Sequence, residues 1–368
     1  MNVREPIRIL QVVTNMSYGG LENFIMNNYR NIDRTRVQFD FLTHFAGHQD
    51  YEEEIEKLGG KLYRLPKLDP FSRSYLSELK AFFKAHPEYK VVHSHLNCMS
   101  SVPLKAAMEC GVPVRIAHSH NTTANHDLKY LIKMACRKQI PDYATDFFAC
   151  GEEAGKWLFG RNTFKVIKNS INTEQYIFKK EKASQVREAL GLTDNFVIGH
   201  VGMFREQKNH QFLFEITKAL AKRDPSVKLV SVGNGPLFEA LQEKAKETGA
   251  ADNILFLGGR SDVPDLMQAM DAFILPSLYE GFPVTMVEAQ AAGLPCFISD
   301  KVPKECKMTP EVYTIKLTSS ADQWADTIIK NKITARKNNL EPIKNAGFDV
   351  VTNAKWLEDF YVGKYNGQ

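Results

Sequence analysis

Short runs rich in β-branched and aromatic residues alternate with stretches of helical period along the chain, and the alternation starts twice. The first series runs "IRILQVV", a helix over 21–31, "QFDFLT", a helix around 51–58, "KLYRL" and a helix near 74–85. It continues through "KVVHSH", a helix over 101–109, "PVRIAHSH" and "ATDFFAC", and finishes near "FKVIKNSI". Strands separated by helices build parallel sheets wrapped on both faces. The second series opens at "FVIGHVG" and passes through helices over 209–221, 236–248 and 263–270, interleaved with "VKLVSVG", "NILFLG" and "DAFILPS", to a helix from 283. Between the two series "NSINTEQYIFKKEK" breaks the period with turn-forming and charged residues. A chain of 368 residues can fill two cores of ordinary size. The expected fold is α/β, with Rossmann-like doubly wound domains over 1–172 and 173–345. A helical tail over 346–368 offers Trp356, Phe360 and Tyr361 for packing back on the first domain.

The net charge of +4 is spread among acidic residues rather than gathered in a basic block, which argues against nucleic acid as the partner. Six cysteines lack any C-x-x-C spacing, and a chain this large needs no disulfide staples, so free thiols in a reducing cytoplasm are expected. The apolar run near the N-terminus is too short for a signal-peptide core and reads as a first strand. No window approaches the roughly 20 apolar residues that cross a bilayer, so any membrane contact is expected to be peripheral.

The stretch "LYEGFPVTMVEAQAAGLP" carries Glu280 and Glu288 in a segment otherwise free of charge. A glycosidase pair would face one bond from about 5 to 9.5 Å apart. Eight residues on one helix separate Cα atoms by about 12 Å, so these two do not form such a pair. Glu280 follows "DAFILP" at a strand's carboxyl end, where open α/β sheets bind ligands. Pro283 suits the first helical position and Gly293 the position past the end, so the helix is predicted over 283–292 with Glu288 in its second turn. The amides of Gly281 and Phe282 then lie at a helix start, a seat for phosphate or sugar hydroxyls. An exposed helix start with ordinary surface glutamates is the bland alternative.

Other strand ends carry similar material. Gly19 and Gly20 open a helix and let an oxyanion approach the backbone, although a plain strand-to-helix turn needs the same residues. His93 with His95, and His118 with His120, lie at period two, each pair on one face of its strand. A metal site is one reading of four histidines, and satisfied buried histidines, favoured for His93, are another. In "GHVGMFREQKNH" the segment between Gly202 and a helix near Asn209 places Arg205 and Lys208 where cations can meet a departing diphosphate. "GNGP" at Gly233 is a tight turn open to a ligand or explained by packing. Lys129, Lys133 and Arg137 recur at helical spacing near apolar residues. They suit an anionic membrane surface or a solvated helix face.

Taken with "YGGLENFI", "VVHSHLN", "VRIAHSHNT", "VIKNSIN", "VGNGP" and "FLGGRSDVPDLM", the run "EGFPVTMVE" followed by "AQAAGLP" resembles the family 4 retaining glycosyltransferases. The likeness spans nearly the whole chain and is strongest to bacterial enzymes of capsule and exopolysaccharide assembly. It implies the GT-B architecture, two domains facing across a cleft. It also implies transfer of a hexosyl group, with retention, from a nucleotide sugar to a glycan or lipid-linked acceptor, the expected donor being a UDP-sugar. No metal and no other cofactor is implied, and no D-x-D motif occurs. On this resemblance Glu280 grips the donor sugar and Glu288 the ribose. Lys208 meets the diphosphate, and the base lies on Arg260, Ser261 and Val263. Gly19, Gly20, Gly202, Gly233, Gly281, Phe282, Pro283 and Val284 line the donor. His120, or failing it His118, reaches the sugar, so His120, His118, Lys208 and Glu280 are the candidate catalytic residues. The family's arginine position holds Met203, with Arg205 nearest. The lipid-linked acceptor would bring the enzyme to the inner face of the cell membrane through Lys129, Lys133 and Arg137. A GT-B epimerase or phosphorylase, or a sugar-nucleotide binder without catalysis, are the rival readings.

Overall fold

The computed structural model describes residues 5–121, 123 and 130–367. It divides into two compact units, Met1–Ser170 with Val350–Gln368 and Ile171–Asp349. The first is built on strands β1 (Ile7–Val12), β2 (Val37–Thr43), β3 (Leu62–Arg64), β4 (Val91–Ser94), β5 (Val114–Ser119), β6 (Asp146–Ala149) and β7 (Lys165–Val166). They form one parallel sheet in the order β3-β2-β1-β4-β5-β6-β7. Neighbouring residues serve opposite faces, as the strand period demands. Ile9, Phe39 and Val91 pack on one side with the helix Gly20–Asn31, and Leu10, Leu42 and Val92 on the other with the helices Arg73–Ala85 and Ser101–Glu109.

The second unit repeats the scheme with β8 (Phe196–Val201), β9 (Val227–Val232), β10 (Ile254–Gly258), β11 (Ala272–Leu275), β12 (Cys296–Ser299) and β13 (Val312–Ile315), in the order β10-β9-β8-β11-β12-β13. In both sheets the order reverses once, between β1 and β4 and between β8 and β11. Such a reversal sends successive connections to opposite faces and opens a crevice at the strands' carboxyl ends.

Three local features differ from the sequence expectation. The helix Lys180–Leu190 begins inside the segment predicted as a linker, because only Ala183 of it is buried and its apolar stripe is faint. The strands β12 and β13 and the helix Ala321–Lys330 carry no prediction, the two strands being four residues each. The helix after Glu280 is Val284–Ala291, with Pro283 at its N-cap rather than inside it.

The helix Val350–Tyr365 completes the first unit, burying Leu357 and Tyr361 against the residues of β1, β2 and β4. Its Glu358 side chain, 4% exposed, pairs with Arg36 and accepts the Asp33 N–H at 3.0 Å. Lys364 pairs with Asp146 at 2.7 Å. Leu357→Ala should cost the first unit about 2–5 kcal/mol through lost burial and a residual cavity. Denaturant unfolding followed by a probe in that unit checks this, and an unshifted midpoint would show that the helix contributes nothing there.

Candidate functional site

In the second unit the crevice between β8 and β11 is assembled by the turn that follows β8. Phe204, fully buried, donates its N–H to the Asn234 carbonyl at 2.9 Å and stacks on the His210 ring at 4.1 Å. That anchor folds Glu206–Lys208 into a 3-10 turn, and Asn209 takes a left-handed conformation, φ 55°, to start the helix His210–Ala221. Asn209 Nδ2 donates to the Pro276 carbonyl at 3.1 Å, and the Leu278 N–H donates to the Gln207 carbonyl at 2.8 Å. The loops after β8 and β11 are thereby stitched together.

The stitching brings Lys208 Nζ to 2.6 Å from Glu280 Oε1, with the two side chains 15% and 5% exposed. The same oxygen accepts the Ser277 hydroxyl at 2.6 Å, and Oε2 accepts Gln207 Nε2 at 3.2 Å. Removing one partner of so buried a pair strands the other charge, so the two side chains form one unit of the site. Ser277 and Gln207 had no signal in the sequence; they emerge only from the meeting of two strand ends. Gly202 lies beneath Lys208, where a Cβ would stand 3.3 Å from Lys208 Cε. Gly233, at φ 141°, passes so close to the Gly202 carbonyl that any side chain would overlap it.

The other predicted positions lie around this pair. Gly281 is exposed, Phe282 stacks on Phe348 at 4.9 Å, and Pro283 is buried beside the half-buried Val284. Arg260 is exposed and held by Asp262 at 2.6 Å, next to exposed Ser261 and half-buried Val263. Met203 is 41% exposed, and Arg205 is exposed. Glu288 is half-buried on the helix Val284–Ala291. Desolvation by the surrounding protein raises its carboxyl to about 7, while the Tyr176 hydroxyl, donating toward it, pulls it down.

In the first unit the reversal between β1 and β4 gathers a patch of imidazoles. His93 stands opposite Gln11 of β1 in the strand register. His93 Nδ1 lies 2.7 Å from the Tyr361 hydroxyl and its Nε2 3.1 Å from His118 Nδ1. His95 Nε2 lies 2.8 Å from Gln11 Oε1 and its Nδ1 2.9 Å from His120 Nε2. His93, His95 and His118 bring one nitrogen each within 4.8 Å of one another. Such a grouping is of the size a metal takes, but both nitrogens of His93 and of His95 are engaged in the hydrogen bonds just described. His118 is fully buried, and its ring meets Phe24 edge-on at 5.2 Å. His120 is half-buried just past the end of β5, although its Nδ1 is itself shut off from solvent. Burial pushes His93, His95 and His118 well below the ordinary imidazole value and lowers His120 to about 3, so all four are neutral at physiological pH.

Gly19 caps the helix Gly20–Asn31, and the Glu22 carboxylate folds back against it. Lys129 lies outside the described residues. Lys133 is half-buried, and Arg137 donates to the Leu158 carbonyl at 3.2 Å and lies 5.3 Å over the Trp157 ring. The described residues contain no helix long and apolar enough to cross a membrane.

Two parallel-sheet units with Rossmann strand order, each with polar residues gathered at its reversal, make up a scaffold of the GT-B kind. Residues 18–175 match the model of Glycosyltransferase Family 4, and residues 182–345 match that of Glycosyl transferases group 1. The chain is 34% identical over 368 residues to the putative glycosyltransferase EpsF of Bacillus subtilis (strain 168), covering 96% of each chain. It belongs to this family of glycosyltransferases. It is also 27% identical, over 75% of its length and 76% of the relative's, to the UDP-Gal:alpha-D-GlcNAc-diphosphoundecaprenol alpha-1,3-galactosyltransferase of Escherichia coli. Among solved structures, Anabaena Alr3699/HepE in complex with UDP-glucose shares the fold with a TM-score of 0.77 at 20% identity, over 96% of this chain and 99% of that one.

The raised Glu288 carboxyl has a pH signature. Unfolded glutamates titrate near about 4.3, so between there and about 7 the folded chain holds the extra proton and stability falls as pH rises. The buried histidines, lowered in the fold, give the opposite slope at the acid end, so the readout is a difference. The melting temperature of Glu288→Gln minus that of the wild type should grow between about pH 5 and about pH 8. A difference that stays constant would place the carboxyl at its ordinary value.

Proposed function

We propose that this glycosyltransferase moves a hexosyl group from a UDP-sugar to a glycan or lipid-linked acceptor in capsule or exopolysaccharide assembly, with retention at the anomeric carbon. The observation that carries the reading is the Lys208–Glu280 pair at the strand-order reversal of the second unit. A diphosphate arriving there competes with Glu280 for the Lys208 ammonium and leaves the carboxylate free to accept sugar hydroxyls. Amides at the start of the helix Val284–Ala291 add neutral donors for the same anion. Glu288 holds the ribose, and the open loop at Arg260, Ser261 and Val263 holds the base.

No side chain of this set is placed as a covalent nucleophile. The bond from the anomeric carbon to the phosphate oxygen breaks as the acceptor oxygen bonds to the same face. The acceptor's proton passes to the departing phosphate oxygen, and Lys208 balances the charge that develops there. The first unit takes the acceptor, and within that unit His120 is the candidate contact for a sugar hydroxyl. Peripheral attachment at the inner membrane face uses the start of the helix Tyr130–Tyr143, where Leu131 is 78% exposed beside Lys133. Arg137, the third cation of that face, also lies over the Trp157 ring.

The names of two relatives support this reading, one using UDP-Gal and one solved with UDP-glucose. In a thermal-shift screen, UDP-sugars should raise the melting temperature more than GDP- or ADP-sugars, since ligand at about 100 times Kd adds about 2.7 kcal/mol. Lys208→Ala and Glu280→Gln should each lower kcat by about 10²–10³-fold. Near-wild-type kcat in both would remove the pair from the reaction. Stabilisation by a UDP-sugar with no transfer to any acceptor would make the chain a binder.

A further inference from the structure

The imidazole patch of the first unit contains more residues than one sugar contact needs. Gln11 lies on β1 with 1% exposure, and its amide oxygen is 2.8 Å from His95 Nε2. An amide oxygen only accepts, so His95 carries its proton on Nε2 and presents a lone pair at Nδ1. Among the described residues, the group facing that lone pair is His120 Nε2 at 2.9 Å, which must then carry a proton. A neutral imidazole has one N–H, so His120 Nδ1 is left bare. That atom is shut off from solvent and has no partner among the described residues.

We propose that Gln11 and His95 are positioning residues that lock His120 in the Nε2–H tautomer, keeping its buried Nδ1 as a bare lone-pair acceptor for a hydroxyl of a sugar bound at the first unit. The functional half rests on the reading above that His120 touches the sugar. The ring is also fixed in place. Its backbone N–H donates to Asn97 Oδ1 at 2.8 Å, with Asn97 itself in the left-handed region at φ 49°, and its face stacks on His118 at 4.1 Å. Stacking this close tolerates neutral rings and would oppose two cations.

A second chain runs beside the first, from Tyr361 through His93 to His118, and it provides an internal control. Burial raises the Tyr361 hydroxyl above its ordinary value, with the nearby Gln11 amide acting the other way, and the Gln11 amide nitrogen has no hydrogen-bond partner among the described residues. Were the amide turned the other way, nitrogen toward His95, every proton in the first chain would shift by one position and His120 would carry its proton on Nδ1. The two arrangements are chemically distinct.

The test is nitrogen NMR of histidine-labelled full-length protein, in which the two tautomers of a neutral imidazole give different ring-nitrogen shifts, with His120 assigned through His120→Gln. The wild type should show His120 protonated on Nε2. The near-isosteric Gln11→Leu, which removes the acceptor facing His95, should yield a mixture. Tyr361→Phe should alter His118 and leave His120 unchanged. Transfer should follow the tautomer, with kcat/KM down about tenfold in Gln11→Leu, the worth of one hydrogen bond. A wild-type His120 protonated on Nδ1, or a His120 tautomer unmoved by Gln11→Leu, overturns the lock. A tautomer that shifts while transfer does not would uphold the lock and overturn the sugar contact.

Discussion

A parallel sheet whose strand order reverses cannot close over its own carboxyl edge at the point of reversal, and both units of this protein depend on that gap. Between β8 and β11 it is framed by two loops tied by the Asn209–Pro276 and Leu278–Gln207 hydrogen bonds. Between β1 and β4 it is framed by side chains from the strands themselves. In each case the helices on the two faces bury the apolar rows and leave the strand ends to polar groups, which are held because the core beneath them is rigid.

The two gaps manage buried polarity in opposite ways. The second unit keeps full charges and cancels them locally, Lys208 against Glu280, with Ser277 and Gln207 occupying the remaining carboxylate positions. The first unit keeps no charge at its patch: burial strips the protons from four histidines and hydrogen bonds fix which nitrogen holds the one that remains. A charged pair can be opened by an anion that competes for one member. A neutral network responds instead to the direction in which a ligand donates or accepts.

Much of this architecture is legible from periodicity alone. The alternation of strand and helix, the restart after "NSINTEQYIFKKEK" and the placing of Glu280 at a strand's end follow from residue spacing and turn chemistry. What escapes is of two kinds. Elements with little contrast between faces, such as Lys180–Leu190 with its single buried alanine or the four-residue strands β12 and β13, give too short or too faint a pattern. Partnerships across the sheet are hidden for another reason. Lys208 and Glu280 are 72 residues apart, and Gln11 and His95 are 84 apart. Each strand's own face was readable, but the register between strands was not, so Gln11, Ser277 and Gln207 were invisible as members of a site.

The chain leaves the first unit at Ser170 and returns at Val350, and the two passages run side by side, with Ile171 bridged to Asp349. The second unit is therefore an insertion within the first. During synthesis its whole sequence emerges before the helix that supplies Leu357, Glu358 and Tyr361. Domains tend to fold as units during synthesis, and here the inner unit's sequence is complete before the helix that covers the outer unit's apolar face has been made. Tyr361 of that helix also contacts the histidine patch, so the same late segment supplies both the cover and a partner for His93.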